Sequence, residues 1–436
     1  MLDFNLFCER IEALNASHAS ILIALSGGID SIVLAHLLSR YQHRYPRQKL
    51  QAVHVHHGLM AQADDWQRFC QQFCLQLQIP FVAHQVKVEQ GPRLSLEEQA
   101  RKARYEIFSH YANQGYVIAC AHHLDDQAET FLINLQRGSG AAGLAAMPVS
   151  RALGKSHLIR PLLDTSRVEI EQYALSHQLE HIEDPSNQDL RIERNFIRHQ
   201  LLPIFKARWP HWLAQVGQSC QLLGQAQQLQ DELALIDAER FITSQGALAN
   251  DLSILSDARQ NNLIRFWLHR LSGSYPSQQQ LSQIRQQMGA REDRIPIISV
   301  AHGIVRRYRY RWYWSEAQVT ASHGLVWPDP LSPVNMGKRQ LVMLTGGTLR
   351  APSSDDKISV RFRHEVDNPS MRPLGRNGSR SLKKLLQELA VPPWQRDHIP
   401  LIFYGEQWVA LADQLIDERW AVADGSGLRL VIRSDL

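Results

Sequence analysis

Ile21-Leu22-Ile23-Ala24-Leu25-Ser26-Gly27-Gly28-Ile29-Asp30-Ser31 is the stretch on which the fold turns. Five apolar residues without a polar interruption read as a strand buried on both faces, as in a parallel sheet covered by helices. Two glycines follow, and Ser31–Arg40 then repeats apolar residues at three and four, the period of a helix. The first turn of such a helix points unpaired N–H groups and the positive end of its dipole at whatever lies beyond the strand, which suits a phosphate. Gly27 and Gly28 let the chain approach an anion closely, and Ser26 and Ser31 add hydroxyl donors. No G-x-x-x-x-G-K-[ST] occurs, so the lysine that serves β- and γ-phosphates is missing. The loop therefore suggests a nucleotide held for attack at another phosphate; the plain alternative is a serine-capped glycine turn.

Outward from this loop the same alternation continues. Apolar runs recur at Ala52–Val55, at Phe81–Val82 with Val86–Val88, and at Val117–Ala121, separated by helical patterns over Asp64–Leu77 and Ser95–Tyr111. That is an α/β pattern with a parallel sheet and crossover helices, and it fixes the class but not the strand order. Ser166 and Glu169 make a capping box that starts a further helix. From Leu213 a glutamine-rich helix carries a stripe of Val216, Cys220, Leu223, Ala226, Leu229, Leu233 and Ile236. Helical patterns over Ser256–Leu271 and Ser277–Met288 precede strand-like stretches at Ile295–Val300 and Gly303–Trp314. The division expected is a catalytic domain over 1–212, a mainly helical middle domain over 213–315, a Pro/Gly/Ser-rich linker with one strand over 316–350, and a small α+β domain over 351–436.

Composition excludes several classes. Among 436 residues, Lys plus Arg number 47 and Asp plus Glu 43, so charge alone does not coat this chain with nucleic acid, and any RNA site must be a local patch. Five cysteines with no C-x-x-C pair signal neither a disulfide framework nor a structural zinc site, which makes a reducing cytoplasm the expected home. No apolar run approaches the roughly 18 residues of a membrane span, and the first residues lack the order of a signal peptide. Nothing points to an obligate protein partner.

A second constellation follows the run Val117–Ala121: His122-His123-Leu124-Asp125-Asp126-Gln127-Ala128-Glu129-Thr130. Asp126 and Glu129 are three apart and Asp125 and Glu129 four apart, so their carboxylates gather in one helical turn. Such a cluster can hold Mg²⁺ between phosphates or seat the amino groups of a cationic substrate. Acids in a first turn can also simply complement the dipole. Their place at the carboxyl end of a parallel strand is where ligands of open α/β sheets bind.

The string S-G-G-x-D-S resembles the PP-loop of the ATP pyrophosphatases, which have an adenine nucleotide α-hydrolase-like fold and release pyrophosphate while transferring AMP to a substrate oxygen. Six further motifs narrow the resemblance to the lysidine synthetases. They are Val55-His56-His57-Gly58-Leu59, Ala100-Arg101-Lys102-Ala103-Arg104-Tyr105, Ala121–Thr130, Arg137–Leu144, Arg160–Leu163, and Glu183–Asn187 leading to Arg194-Asn195-Phe196-Ile197-Arg198. Met60 departs from the pattern, which has an arginine there. The resemblance implies that Ser26, Gly27, Gly28, Ile29, Asp30 and Ser31 hold ATP, that Asp30 binds its Mg²⁺, and that His122 reaches the phosphates. It implies that Asp126 and Glu129 recognise lysine with Arg101 and Arg137 near the substrate, and that Arg194 steadies ATP or the adenylated intermediate. Asp30, Asp126, Glu129 and Arg194 would be the catalytic set. Arg101 and Arg104 also fit a solvated basic face, and Arg191, Arg194 and Arg198 share another.

The chemistry so implied attaches L-lysine to carbon 2 of the wobble cytidine in the CAU anticodon of tRNA(Ile), changing its decoding from AUG to AUA. Adenylation turns the cytosine oxygen into a leaving group, and the lysine ε-amine, with a pKa of ~10.4 in water, then needs a base. Asp30, Asp125, Asp126 and Glu129 are all candidates. A PP-loop tRNA thiolase would want paired cysteines, whereas Cys120 alone is near the site and reads as an apolar filler. A non-catalytic tRNA-binding protein would have a damaged loop, and this one is intact.

Farther on, Arg306 to Trp314 alternates as on one strand, with Arg307, Arg309 and Arg311 on one face and Tyr308, Tyr310 and Trp312 on the other. Between Arg361 and Arg396 eight Lys or Arg stand against three Asp or Glu. Arg376, Arg380, Lys383 and Lys384 are the candidate tRNA contacts, of a kind that positions RNA without reading it. This stretch resembles the lysidine synthetase C-terminal domain, which implies a grip on the acceptor end.

Overall fold

The computed structural model describes residues 2–56, 62–86, 96–289, 296–317, 323–330, 332–336, 339–353, 356–423 and 425–434. They form two compact units, Met1–Asp231 and Glu232–Leu436. The first contains α1 (Phe4–Leu14), β1 (Ile21–Ala24), α2 (Ile29–Arg44), β2 (Leu50–His56), α3 (Ala63–Gln76), β3 (Phe81–Gln85), α4 (Leu96–Asn113), β4 (Val117–Ala119), α5 (Leu124–Gln136), α6 (Ala141–Leu144), β5 (Ser150–Leu153), β6 (Ser156–Ile159) and α7 (Arg167–Ser176). After these come α8 (Glu193–Phe196), a π-helical turn over Ile197–Leu201, α9 (Leu202–Arg208) and α10 (Trp212–Phe241), which runs past residue 231.

Six strands form one sheet in the order β3-β2-β1-β4-β6-β5, parallel except for β5. Its centre explains the unbroken apolar run. Ile21 and Ile23 pack with Phe7, Ile11, Ile32, Phe73 and Ile170 on one face. Leu22 packs with Val53, Phe108, Ala112, Ile118 and Leu158 on the other. Each buried side chain contributes about 1.5–3 kcal/mol, so neither face tolerates a polar residue. The β5–β6 hairpin carries no sequence signal beyond Leu158 and Ile159, and turns through Gly154 at φ 55°. Ser166 caps α7 with Glu169 reciprocating, as its spacing predicts.

The stripe expected on α10 divides. Val216 and Cys220 are buried, but Leu229 and Ile236 are exposed, and Ala234, Asp237 and Phe241 turn inward instead. A straight helix of 3.6 residues per turn drifts off a single stripe over such a length.

In the second unit β7 (Leu248–Ala249), α11 (Asp257–Ser272), α12 (Gln278–Met288), β8 (Ile297–Val300), β9 (Gly303–Tyr308) and β10 (Arg311–Glu316) close around Trp267 and Trp312. The strands order β7-β10-β9-β8. Here the expected single strand over 303–314 is instead a hairpin. Arg309 and Tyr310 form its two-residue turn at φ 45° and 59°, and Trp312 pairs across with Arg307. Both turn residues lie in the left-handed region without glycine or asparagine, so local preference gave no warning.

The remaining strands are β11 (Leu325–Val326), β12 (Val334–Asn335), β13 (Arg339–Gly347), β14 (Ile358–Arg361), β15 (Ser370–Met371), β16 (Arg380–Ser381), β17 (Leu401–Tyr404), β18 (Gln407–Leu411), β19 (Leu415–Ile416) and β20 (Gly427–Ser434), with α13 (Leu382–Glu388) among them. Residues 316–350, expected as a linker with one strand, carry β11, β12 and β13. The last pairs with β20 from Arg339↔Ser434 to Gly347↔Gly427, and Trp327, Leu341, Met343 and Leu349 are buried. Among the described residues no helix is long and apolar enough to cross a membrane.

Candidate active site at the carboxyl edge of the parallel sheet

The turn after β1 is held by its own serines. Ser31 Oγ accepts from the N–H groups of Ser26 (3.2 Å) and Gly27 (3.1 Å) and donates to Gly28 O (2.9 Å). Ser31 is buried, so its hydroxyl shapes the loop, while Ser26 is exposed. Gly27 sits at φ 90°, and a Cβ there would lie 2.5 Å from Ile182 Cδ1 and 3.2 Å from Cys70 Sγ. Ile182 N also donates to Gly27 O at 2.9 Å, pinning the loop from the segment after α7. Gly28 caps α2, and Ile29 is buried behind it.

Asp30, in the first turn of α2, receives Arg167 Nη1 at 2.8 Å on each carboxylate oxygen. His123 Nε2 stands 3.6 Å from Asp30 and 3.4 Å from Asp126 Oδ2, so one buried imidazole links the loop to the acid cluster. Burial raises the Asp30 carboxyl above its ordinary range against the pull of His123 and Arg167. Burial pushes Asp126 up too, but His123, His122, Arg194 and Arg198 together outweigh it and hold the carboxyl below its usual value.

Glu129 is fully enclosed, at 0% exposure. Arg198 donates to it from Nε (2.7 Å) and Nη2 (3.0 Å) and reaches Asp126 Oδ1 at 3.1 Å. Arg194 Nε lies 3.1 Å from Glu129 outside hydrogen-bond geometry, a charge contact, while its Nη2 donates to Thr130 Oγ1 at 2.8 Å. Burial still raises Glu129, the arginines notwithstanding. Arg198 lies in the π-helical turn and Arg194 in the short helix just before it, an irregularity common at functional sites.

Asp125 turns away from this pair. It accepts from Arg167 N at 2.9 Å and is bound by Lys206. The three carboxylates that spacing groups together therefore have different cationic partners, although His123 Nδ1 stands 3.9 Å from Asp125 as well. His122, expected at the phosphates, accepts from Arg160 Nε at 3.3 Å, and burial lowers its pKa to about 3, so it stays neutral near pH 7. Arg191 is exposed on Asp189, apart from Arg194 and Arg198. Arg137 caps the far end of α5, on the order of 16 Å along the helix from Asp126, so the acid cluster and Arg137 are not brought together. Arg101 is exposed, its guanidinium 5.2 Å from the Tyr105 ring centre. His57–Met60 lie outside the described residues.

A cavity of about 400 Å³ opens beside the loop at the ends of β1 and β2. Leu25, Ser26, His54, His56, Trp66 and Arg104 are among its lining. His56 Nε2 pairs with Asp64 at 3.0 Å while its buried Nδ1 has no hydrogen-bond partner among the described residues. Apolar walls with a few polar groups suit a purine nucleoside. The residues the motifs did not single out are His123, Arg167 and Lys206; only the doubled histidine hinted at the first.

In the second unit, α13 buries Leu382, Leu385 and Leu386 and exposes Lys383 and Lys384. Arg376 and Arg380 both reach Glu388, at 3.1 and 3.4 Å.

A parallel sheet whose central strand ends in Ser-Gly-Gly-x-Asp-Ser, with acids at the next strand's edge, defines a PP-loop protein, and the PP-loop domain model matches residues 5–205. Models described as the TilS substrate binding domain and the TilS substrate C-terminal domain match residues 249–313 and 358–432. The chain is 41% identical to the tRNA(Ile)-lysidine synthase of Shigella flexneri over 95% of this chain and 96% of that one. It is 40% identical to that of Escherichia coli O157:H7 over 94% and 96%. It belongs to the tRNA(Ile)-lysidine synthase family.

Proposed function

We propose that this chain ligates L-lysine to carbon 2 of the wobble cytidine of tRNA(Ile) with the CAU anticodon, through an adenylated cytidine, releasing AMP and pyrophosphate. The observation that carries this is the His123 link: the phosphate loop and the Asp126–Glu129 cluster share one site, 3.6 and 3.4 Å from the same imidazole. The cavity at β1 and β2 takes the adenosine, and the exposed edge of Ser26–Gly28 takes the phosphates, leaving the α-phosphorus open to the cytosine oxygen. Asp30 and Asp126 converge on His123 as hard oxygen donors, and burial, with the like charge of Asp126 adding to it, raises Asp30, a set that fits Mg²⁺. Asp30 would hold the ion, which would neutralise charge on the departing pyrophosphate.

For the second step, Asp126 and Glu129 would seat the lysine ammonium; Asp126 is the reachable member, since Glu129 is fully enclosed, and both are already paired with Arg198. Of the four candidate bases, Asp125 is committed to Lys206, Asp126 is acidified, and Glu129 is wrapped by two guanidiniums. Asp30 is also paired, with Arg167 at 2.8 Å, but at 26% exposure it is the most open of the four and its pKa is raised, which makes it the choice once pyrophosphate has left. All five cysteines are buried, and burial raises the Cys120 thiol, which disfavours a thiolase.

The test incubates the protein with ATP, Mg²⁺, labelled lysine and the isoleucine tRNA. Label should enter RNA with release of AMP and pyrophosphate, and Asp30→Ala or Asp126→Ala should stop it. Labelling that ignores ATP, or that works equally on any tRNA, overturns the reading.

A further inference from the structure

His122 and His123 stand side by side after β4, yet their surroundings are opposite. His123 has carboxylates at both ring nitrogens, Asp30 and Asp126 at 3.6 and 3.4 Å from Nε2 and Asp125 at 3.9 Å from Nδ1. His122 has a guanidinium instead: Arg160 Nε donates to its Nδ1 at 3.3 Å.

Arg160 is buried without an acid. It is 3% exposed, and no carboxylate among the described residues lies within 4.0 Å of its nitrogens. A dry charge with no counter-ion is costly, so packing alone would be served better by an apolar residue. The backbone sets its place. Arg160 follows β6 directly, and β6 pairs with β4 at Ala119↔Ile159, which brings it beside the junction that carries His122. Its N–H donates to Val149 O at 2.8 Å and its Nη1 to Pro148 O at 2.6 Å, and these bonds aim Nε at the imidazole.

A guanidinium has five N–H donors and no acceptor, so the ring nitrogen that faces it must be the acceptor. A neutral imidazole with a bare Nδ1 carries its proton on Nε2, and the doubly protonated ring cannot make this bond at all. The surrounding charges agree. Burial, Arg160, Arg194 and Arg101 outweigh the pull of Asp126 and bring the ring to a pKa of about 3. Nε2 has no partner among the described residues, and in this half-buried ring it is not sealed from solvent. It is a fixed neutral donor next to the phosphate loop and the acid cluster.

We propose that Arg160 is a positioning residue: by occupying His122 Nδ1 it commits the ring to an Nε2–H that donates to a phosphoryl oxygen of ATP while the α-phosphorus is attacked. No proton moves; the hydrogen bond tightens as charge on that oxygen grows, and a donor fixed in advance needs no reorganisation. The inference rests on the adenylation step proposed above.

The experiment reads the tautomer and the step separately, on the full-length protein. Nitrogen-15 spectra of the imidazoles, with His122 assigned by its loss in His122→Asn, should show the wild-type ring protonated on Nε2 and unchanged from pH 5 to pH 8. In Arg160→Met the ring should titrate within that range, because Asp126 then acts with less opposition. Pyrophosphate release with ATP and the isoleucine tRNA, lysine omitted, should slow about tenfold at pH 8 in Arg160→Met, with the KM for tRNA within about twofold of wild type. That deficit should narrow toward pH 5.5, since an imidazolium again carries a proton on Nε2. Arg160→Lys, another cation that only donates, should restore both the fixed tautomer and most of the rate. A wild-type ring protonated on Nδ1, or one that titrates between pH 5 and pH 8, overturns the proposal even if Arg160→Met does not fold. So does a folded Arg160→Met with wild-type pyrophosphate release. A wild-type protein with the expected tautomer that releases no pyrophosphate refutes the functional reading, and the role at the phosphate with it.

Discussion

Arg198→Met tests the electrostatic core of the site. Glu129 is completely enclosed, and Arg198 supplies two of its hydrogen bonds, at 2.7 and 3.0 Å, and a third contact to Asp126 at 3.1 Å. Removing one partner of a buried ion pair costs roughly 3–5 kcal/mol, because the other charge stays behind without compensation. Two facts reduce this here. The Arg198 side chain is 32% exposed, so water reaches the gap, and Arg194 remains 3.1 Å from Glu129. A loss of about 2–3 kcal/mol is expected, which for a unit of this size lowers Tm by roughly 4–12 °C. The pH dependence has a definite sign. Glu129 is already raised by burial, and loss of Arg198 raises it further. The folded state then keeps a proton that the unfolded chain releases near its ordinary pKa of ~4.3, so stability is fullest below that pH and is lost as pH rises through the folded value. Circular dichroism melts from pH 5 to pH 8 should therefore show the deficit of Arg198→Met against wild type shrinking toward pH 5. Adding Glu129→Gln should remove most of it. A deficit under about 1 °C, or one that is the same at both pH extremes, refutes this account.

Gly27→Ala should abolish ATP binding and cost on the order of 1–3 kcal/mol, since φ 90° and the contact with Ile182 both oppose a Cβ; Ile182→Ala in the same chain should relieve only the contact, as fluorescence titration with ATP and melting would show. Asp30→Asn should end ligation without lowering Tm at pH 7.5: the folded pKa is raised, so the charged form costs the folded state stability as pH rises through it, and a fall of several degrees would contradict this. Replacing Lys383 and Lys384 by Ala should weaken tRNA binding and reduce the slope of log K against log salt by about 1–2, with ATP binding unchanged by calorimetry. His122→Asn should leave the pH profile of ligation between 5 and 8 unmoved, because a pKa of about 3 keeps that imidazole neutral throughout.

How much of this was legible depended on how local the cause was. The central strand and its loop were readable because burial on both faces leaves no choice but an apolar run, and because Gly27 alone can take the turn without a clash. The choice between His122 and His123 was not. The two are adjacent at a strand-to-helix junction, and which one faces Asp30 is decided by the extended backbone of His123, φ −128° and ψ −179°, which sequence spacing does not encode. The hairpin at Arg309-Tyr310 was hidden because alternation fits a continuous strand equally well, and the deciding force is the burial of Trp312 opposite Arg307. The segment 316–350 read as a linker because β11 and β12 are two residues each and the pairing that orders β13 comes from β20 at the end of the chain.

The partners of the acids were the largest omission, and they show what a sharper reading would have asked. Asp125, Asp126 and Glu129 all sit in the first turns of one helix, and two of them are at 5% exposure or less. Acids placed there only to complement a dipole would stay in water. Once buried, each needs a cation of its own, and neither the dipole nor the one imidazole can supply three. The cations must come from elsewhere in the chain, and the segment that carries them has to be basic at helical spacing. Arg194, Arg198 and Lys206 answer that description, at intervals of four and eight, some 70 residues downstream. Charge balance in a buried cluster thus predicts the existence and spacing of a partner segment, although it cannot say which arginine meets which acid; that assignment falls to the π-helical turn, whose extra residue resets the face presented by everything after Ile197.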